Sequence, residues 1–343
     1  MNPYDFVRID WSTSPQRRQP ATWDRVTNSW SGTLTGTITA LTPIFVPQGN
    51  VSRAAGNVLP FQQNAKGTYF ISGTSLKGLI RSLIETIAPG CWPLIADSNH
   101  LPQAFKRCDK FDKLCPACRL FGTVNGQTLF LGRVGFEDAI CTKPQPHDAV
   151  YTPILDQPKP RHAIWYLDDA QRYVRGRKFY FHHEQITTTS GLHKSTKGST
   201  LNQYISPLGA QSTFMFTGYF SELTDDELTM LIYAIVLEPE MRHKLGYAKP
   251  AGFGSIHIQL TSLQRQRTLD RYRMSPSAAE QLEGTDLDTF IGQSTEAYRR
   301  NRTSITLNDL RRIWRWPPAH VSYRYPSREW FSQHPSDPIS KTP

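Results

Sequence analysis

The chain has 343 residues, 38% of them apolar and 11% aromatic, and carries a formal net charge of +10. That length suits two small domains or one domain with large insertions, with enough apolar surface to bury a core. The basic balance points to a polyanionic partner, nucleic acid above all. It comes with no apolar run near the roughly 18 residues of a membrane-spanning helix. The first residues, Met1–Asp5, lack the basic and apolar regions of a signal peptide. These features predict a protein of the reducing cytoplasm with no membrane partner.

Residues 1–32 form a polar N-terminal arm whose Trp11, Trp23 and Trp30 are expected to dock onto the body. Leu34–Thr42 alternates apolar residues and threonine, as a half-buried strand does. Pro43 and Pro47 end it, and residues 47–68 read as a loop. A second strand, Thr68–Ile71, leads into Ser72-Gly73-Thr74-Ser75. Thr74 or Ser75 is the expected N-cap of a helix. Leu76, Leu79, Ile80, Leu83, Ile84 and Ile87 then follow the spacing of one apolar helical face, and Pro89-Gly90 stops it. Free N–H groups at Gly73–Ser75, with Lys77 and Arg81 one turn apart, make an anion site.

Three of the five cysteines lie in Cys108–Cys118. Clustered cysteines in a chain without a secretion signal favour a metal over disulfides. Cys115-Pro116-Ala117-Cys118 places two thiolates on one turn, and Cys108 lies seven residues earlier. Zinc takes four such ligands in a tetrahedron, which makes the site structural. Cys91 is the better fourth ligand and His100 the alternative; Cys141 is left out.

Leu129–Ala139 reads as the next strand. Residues 141–210 are long and irregular, with an insertion at 144–205 that mixes cations and flat rings: Arg161, Trp165, Tyr166, Arg175, Arg177, Lys178 and Tyr180. That mixture suits single-stranded RNA, with charge for the backbone and rings for the bases. The adjacent His182 and His183 could serve as acid–base residues, but no partner for them is visible. Ser212–Phe220 is a strand, Thr224–Glu227 a capping box opening a helix, and Ile256–Leu260 a last strand. Between them lies a loop in which Gly246, Gly252 and Gly254, flanked by Lys244 and Lys249, could cradle a phosphate. The element order is βαββαβ, an α+β ferredoxin-like arrangement shared by many RNA-binding modules. Residues 263–343 form a basic, tryptophan-containing extension that would serve either as a docking face or as a packed addition.

Four strings in this order resemble the RAMP superfamily, whose members are subunits of type III CRISPR effector complexes. They are Ile71–Arg81 (ISGTSLKGLIR), Cys115–Gly122 (CPACRLFG), Gly132–Ala139 (GRVGFEDA) and Lys244–Ser255 (KLGYAKPAGFGS). Pro158-Lys159-Pro160 and Arg175–Tyr180 resemble a subgroup with a long insertion, and the resemblance spans about residues 33–262. It implies a Cas7-like backbone subunit with an RRM-like palm that stacks along guide RNA beside other effector subunits and positions target RNA. Gly73, Thr74, Ser75, Lys77, Arg81, Arg133 and the loop 246–254 would then hold guide RNA, and 144–205 would form a thumb. Catalytic members of the family carry an aspartate in the loop after the first strand, but here Pro43–Arg53 holds none, and Asn50 cannot ionise. The resemblance therefore implies an RNA-binding subunit without nuclease activity. The alternative is a magnesium-dependent endoribonuclease that uses Asp148 or Asp156 of the insertion and cuts target RNA or guide precursor.

Overall fold

The computed structural model describes residues 1–20, 28–49, 57–92, 98–125, 128–155, 165–195, 197–273, 279–300, 305–334 and 337. In chain order its elements are β1 (Tyr4–Val7), β2 (Trp30–Ala40), β3 (Val58–Leu59), β4 (Phe70–Ile71) and α1 (Gly73–Ile87). Then come α2 (Pro116–Phe121), β5 (Gly122–Asn125), β6 (Thr128–Leu131), β7 (Val134–Phe136) and β8 (Ala139–Lys143). The insertion contributes β9 (Val150–Tyr151), β10 (Arg177–Tyr180) and β11 (Tyr204–Ile205). β12 (Thr213–Leu223), α3 (Asp225–Val236), β13 (His243–Lys244) and β14 (Ser255–Arg267) follow. The last are α4 (Thr268–Tyr272), β15 (Glu280–Glu283), α5 (Gly284–Arg300), α6 (Ile305–Ile313) and α7 (Arg328–Gln333).

The protein is mixed α+β around one antiparallel sheet in the order β13-β14-β2-β12-β8-β4, with β15 beside β14 and β7 beside β12. Alternation in the sequence sets its two faces. Leu34 and Ile38 of β2, Phe214 and Phe216 of β12, and Ile256 and Ile258 of β14 point inward and are buried. Thr35 and Thr37 on β2, Met215 and Tyr219 on β12, and Gln259 on β14 point outward. α1 and α3 cover the inner face with Leu76, Ile80, Leu83, Leu228, Leu231 and Ile235.

Local expectations hold in type and shift in detail. The cap of α1 is Ser72 rather than Thr74 or Ser75; its hydroxyl accepts from the Ser75 N–H at 3.4 Å. The strand expected over Leu129–Ala139 is split. β6 turns back to pair with β5 as a hairpin, and only β7 and β8 enter the main sheet. Gly132 marks the break: a Cβ there would lie 2.6 Å from the Phe121 carbonyl oxygen. The arm is tied in by a strand, since β1 pairs with β10 of the insertion. Trp11 packs edge-on to Phe105 at 4.8 Å, Trp30 begins β2, and Trp23 lies outside the described residues. The extension packs on the body. Tyr298 of α5 stacks on Tyr233 of α3, and Asp309 of α6 takes two side-chain hydrogen bonds from Arg8.

One buried carboxylate joins the helix layer to the cysteine region. Glu227, the N3 residue of the α3 capping box, accepts from Arg119 Nε at 2.7 Å and from Arg133 Nη2 at 3.0 Å. Burial alone would raise the Glu227 carboxyl, but Arg133 and Arg119 together hold it below its ordinary value. A depressed folded pKa contributes stability that is full above the unfolded value of about 4.3 and is lost as pH falls through the folded one. We predict that Glu227→Gln unfolds about 3–5 kcal/mol more easily at pH 7, because two buried guanidinium groups lose their counter-charge. Urea melts across pH should show the gap to the unmodified protein narrowing below pH 4; a constant gap would remove this account.

Candidate metal centre and its basic surroundings

Cys91, Cys108, Cys115 and Cys118 converge in one buried cluster, with all four sulfur atoms within 4.8 Å of one another. Three segments deliver them. Cys91 follows the end of α1, where Gly90 donates its N–H to the Glu85 carbonyl at 2.8 Å. Glycine is required there, as a Cβ would lie 2.8 Å from Glu85 Cα. Cys115 is the N-cap of α2, Pro116 occupies the first turn, and Cys118 lies within the helix. Cys108 sits in the preceding loop and accepts the Cys115 N–H at 3.3 Å, while the Cys91 N–H points to Cys115 Sγ at 3.5 Å. Such N–H donors stabilise thiolate charge. Hydrogen bonding from Cys108 and the other two cysteines holds the Cys115 thiol well below its ordinary range, despite burial.

The cluster fits a tetrahedral ion. Bonds of about 2.3 Å from metal to sulfur place sulfurs about 3.8 Å apart, and Cys91 Sγ lies 3.6 Å from Cys118 Sγ. Four protein ligands close the coordination sphere. His100 is not among them; its Nδ1 lies 3.3 Å from the Arg172 carbonyl oxygen. Cys141 is apart from the cluster, in β8.

A charged layer lies against the cysteines. Glu85, buried on α1, accepts from Arg81 Nε at 2.9 Å and from Arg177 Nη1 at 3.0 Å. Arg177 also donates to the Cys91 carbonyl at 2.9 Å and stacks over the Trp92 ring at 4.3 Å. Arg81 Nη1 donates to the Gly122 carbonyl at 3.0 Å. These two arginines thus tie the first helix and the insertion to the knuckle. Glu85 carried no signal in the sequence beyond its place on the helix.

The start of α1 is already supplied with an anion. Asp138, from the turn between β7 and β8, accepts the Gly73 N–H at 2.8 Å. Thr74 and Ser75 hydrogen-bond to the Ser72 hydroxyl. Lys77 is half-buried next to Gly132, and burial followed by the nearby Arg81 lowers its ammonium pKa. Arg107, Lys110 and Lys113 are exposed around the knuckle, interleaved with exposed Asp109 and Asp112. They were absent from the sequence-derived site because nothing in their spacing separates them from ordinary solvated residues.

The glycine-rich loop between β13 and β14 is packed by protein backbone. A Cβ at Gly246 would lie 2.4 Å from the Phe45 carbonyl oxygen, and one at Gly252 3.0 Å from that of Gln185. At Gly254 it would meet the Leu245 carbonyl oxygen at 1.8 Å, with φ at +74°. Tyr247 and Gly254 donate to the Phe45 and Pro43 carbonyls. Lys244 is buried and donates to Phe253 and Lys249 carbonyls; Lys249 donates to that of Gly246. Desolvation drives the Lys244 pKa well down. The glycines make room for neighbouring main chain at Phe45, Gln185 and Leu245, and the lysines fasten the loop from within.

Arg133 is likewise internal: Nε donates to the Arg119 carbonyl, Nη1 to that of Glu222, and Nη2 to Glu227. Arg175 pairs with exposed Asp169 at 3.0 Å. Lys178 lies 3.7 Å from the centroid of the Tyr4 ring, a cation–π contact, and burial lowers its pKa to about 8. His182 and His183 are both buried and held neutral, so neither is placed for acid–base work. Burial, then Lys244, lowers His183 to about 3. Asp148 is exposed, and among the described residues it joins no group of three or more potential ligands. Asp156 and Arg161 lie outside the described residues.

No curated protein matches the chain. A solved structure, the crystal structure of the Csm3-Csm4 subcomplex in the type III-A CRISPR-Cas interference complex, is similar at 14% identity and a TM-score of 0.37. The alignment covers 81% of this chain and 100% of that chain. The family model of the RAMP superfamily matches residues 37–257, from β2 into β14, and so takes in the cysteine cluster. With well over half its length in that match, the chain belongs to the RAMP superfamily.

Proposed function

We propose that this chain is an RNA-binding backbone subunit of a type III CRISPR ribonucleoprotein, fastened by a structural zinc and without nuclease activity of its own. The family match over 37–257 carries this reading, and the net charge of +10 agrees with it. The strand order β14-β2-β12-β7/β8, with α1 and α3 on one face, supports naming the sheet a ferredoxin-like, RRM-like palm. On this reading the side of α1 bearing Lys77, with Arg107, Lys110 and Lys113 near the knuckle, meets guide RNA. The insertion at 144–205, with Lys178 and Arg175, acts as a thumb that positions target RNA. Other effector subunits are the protein partners, and the compartment is the cytoplasm. The choice of a non-catalytic role rests on the loop after β2, where no aspartate occurs between Pro43 and Arg53.

Zinc is the ion that four buried thiolates hold best. Metal analysis of the purified chain should find about one zinc per molecule, and Cys115→Ser should cut that at least about tenfold and lower the melting temperature. Cys141→Ser is the control and should leave zinc unchanged. Undiminished zinc in Cys115→Ser would rule out this site.

Binding to single-stranded RNA should weaken steadily with salt. Removing one phosphate contact with Lys77→Ala should flatten the log–log salt slope by about 0.7. An unchanged slope would place guide RNA elsewhere. In the assembled complex with magnesium, target RNA should stay intact opposite this subunit. A cut there that persists in the complex would sink the non-catalytic reading.

A further inference from the structure

The outer face of the sheet, on the far side from α1 and α3, holds a groove of about 410 Å³ whose walls include Thr33, Tyr219, Gln264, Arg265 and Arg271. Its floor is set by strand register. Tyr219 pairs with Thr33 on one side and Gly135 on the other, and Thr33 pairs in turn with Gln264. Main chain of β14 fills the floor here, since a Cβ on Gly32 would lie 2.0 Å from the Gln264 carbonyl oxygen. Just beyond, the pairing of β12 with β2 shifts between Phe220 and Leu223, which opens the surface.

Tyr219 is the notable wall. A Cβ on Gly135 would lie 2.1 Å from Tyr219 Cζ and 2.2 Å from its hydroxyl oxygen. The ring therefore lies over the neighbouring strand in space that only a glycine leaves, while the residue remains 53% exposed. A ring backed by main chain on one side and open to solvent on the other is a platform for a flat ligand. The Thr33 hydroxyl on the adjacent strand and the Gln264 amide on the strand beyond it are both exposed on this face and line the same groove, and Arg271 adds an exposed cation at the rim. None of the described lining residues is acidic. Ring, amide and cation together suit a planar, hydrogen-bonding anion better than an apolar peptide, and the volume falls in the range of about 300–1,000 Å³ usual for ligand sites.

We propose that this groove binds one unpaired nucleotide, with its base stacked on Tyr219, the base edge against Gln264 and Thr33, and its phosphate toward Arg271. The nucleic-acid partner is shared with the proposed function, but the surface is a different one from that of Lys77.

The test is fluorescence anisotropy of labelled oligouridine and oligoadenosine strands on the full chain, alongside titration with AMP and UMP. Tyr219→Ala should weaken binding about tenfold, the usual worth of one stacked base, and Tyr219→Phe should restore it. Gln264→Ala leaves the ring over Gly135 in place and should also weaken binding, at an unchanged melting temperature. A 4-thiouridine strand should photocrosslink to the peptide containing Tyr219. Saturable AMP or UMP binding that Tyr219→Ala abolishes assigns the groove to a free nucleotide; Tyr219-dependent binding of the strand alone assigns it to RNA. If Tyr219→Ala and Gln264→Ala bind like the unmodified chain and no crosslink maps to Tyr219, the groove proposal is overturned. Weakening by Lys77→Ala alone would overturn it too, while leaving the proposed function standing. Weakening by the Tyr219 and Gln264 variants alone would support the groove and count against the Lys77 surface.

Discussion

Four buried sulfurs within 4.8 Å of one another constrain everything between the first helix and the main sheet. Thiols crowded this closely gain little from packing and much from a shared cation, which lets each ionise without bare charge in the interior. The chain around them is arranged for that state. N–H groups of Cys91 and Cys115 point at sulfur, Gly90 lets the helix end turn sharply, and α2 starts on a cysteine cap. Glu85 then extends the constraint outward, holding Arg81 and Arg177 so that α1 and β10 keep fixed positions against the knuckle.

The same logic recurs at Glu227, which holds Arg119 and Arg133. Two physical groups stand out among the described basic residues. Arg81, Arg119, Arg133, Arg177, Lys244 and Lys249 bind to protein carboxylates and carbonyls, and they organise chain crossings. Arg107, Lys110 and Lys113 are exposed and Lys77 half-buried, and there a polyanion can reach them. The signature strings of the family mix both groups. A string can therefore mark a fold through residues whose work is internal, and the RNA contacts proposed here draw on its neighbours as well as on its members.

Much of the fold was legible because alternation and helical spacing leave plain traces. β2, β12 and both core helices follow directly from where their apolar residues fall. The cysteine cluster was legible too, since three of its members lie within eleven residues and Cys91 follows a helix stop. Less visible were features that depend on partners far apart in sequence. Asp138 takes the first N–H of α1 from 65 residues away. Gln185 closes over Gly252, so main chain meets the glycine-rich loop from a segment distant in the sequence. A glycine reports that something comes close without saying whether it is ligand or backbone.

By itself, then, the sequence determined the mixed α+β class, the inner and outer faces of the main strands, and three clustered cysteines with Cys91 as the preferred fourth. These rest on short-range periodicity and on residue chemistry that does not depend on distant neighbours. Only the tertiary structure decided which cations are free, since each guanidinium or ammonium is claimed by whichever carboxylate or carbonyl the fold brings beside it. It also decided that Tyr219 lies open over Gly135 on the outer face of the sheet. That placement follows from strand register between segments more than 80 residues apart, which no local pattern encodes.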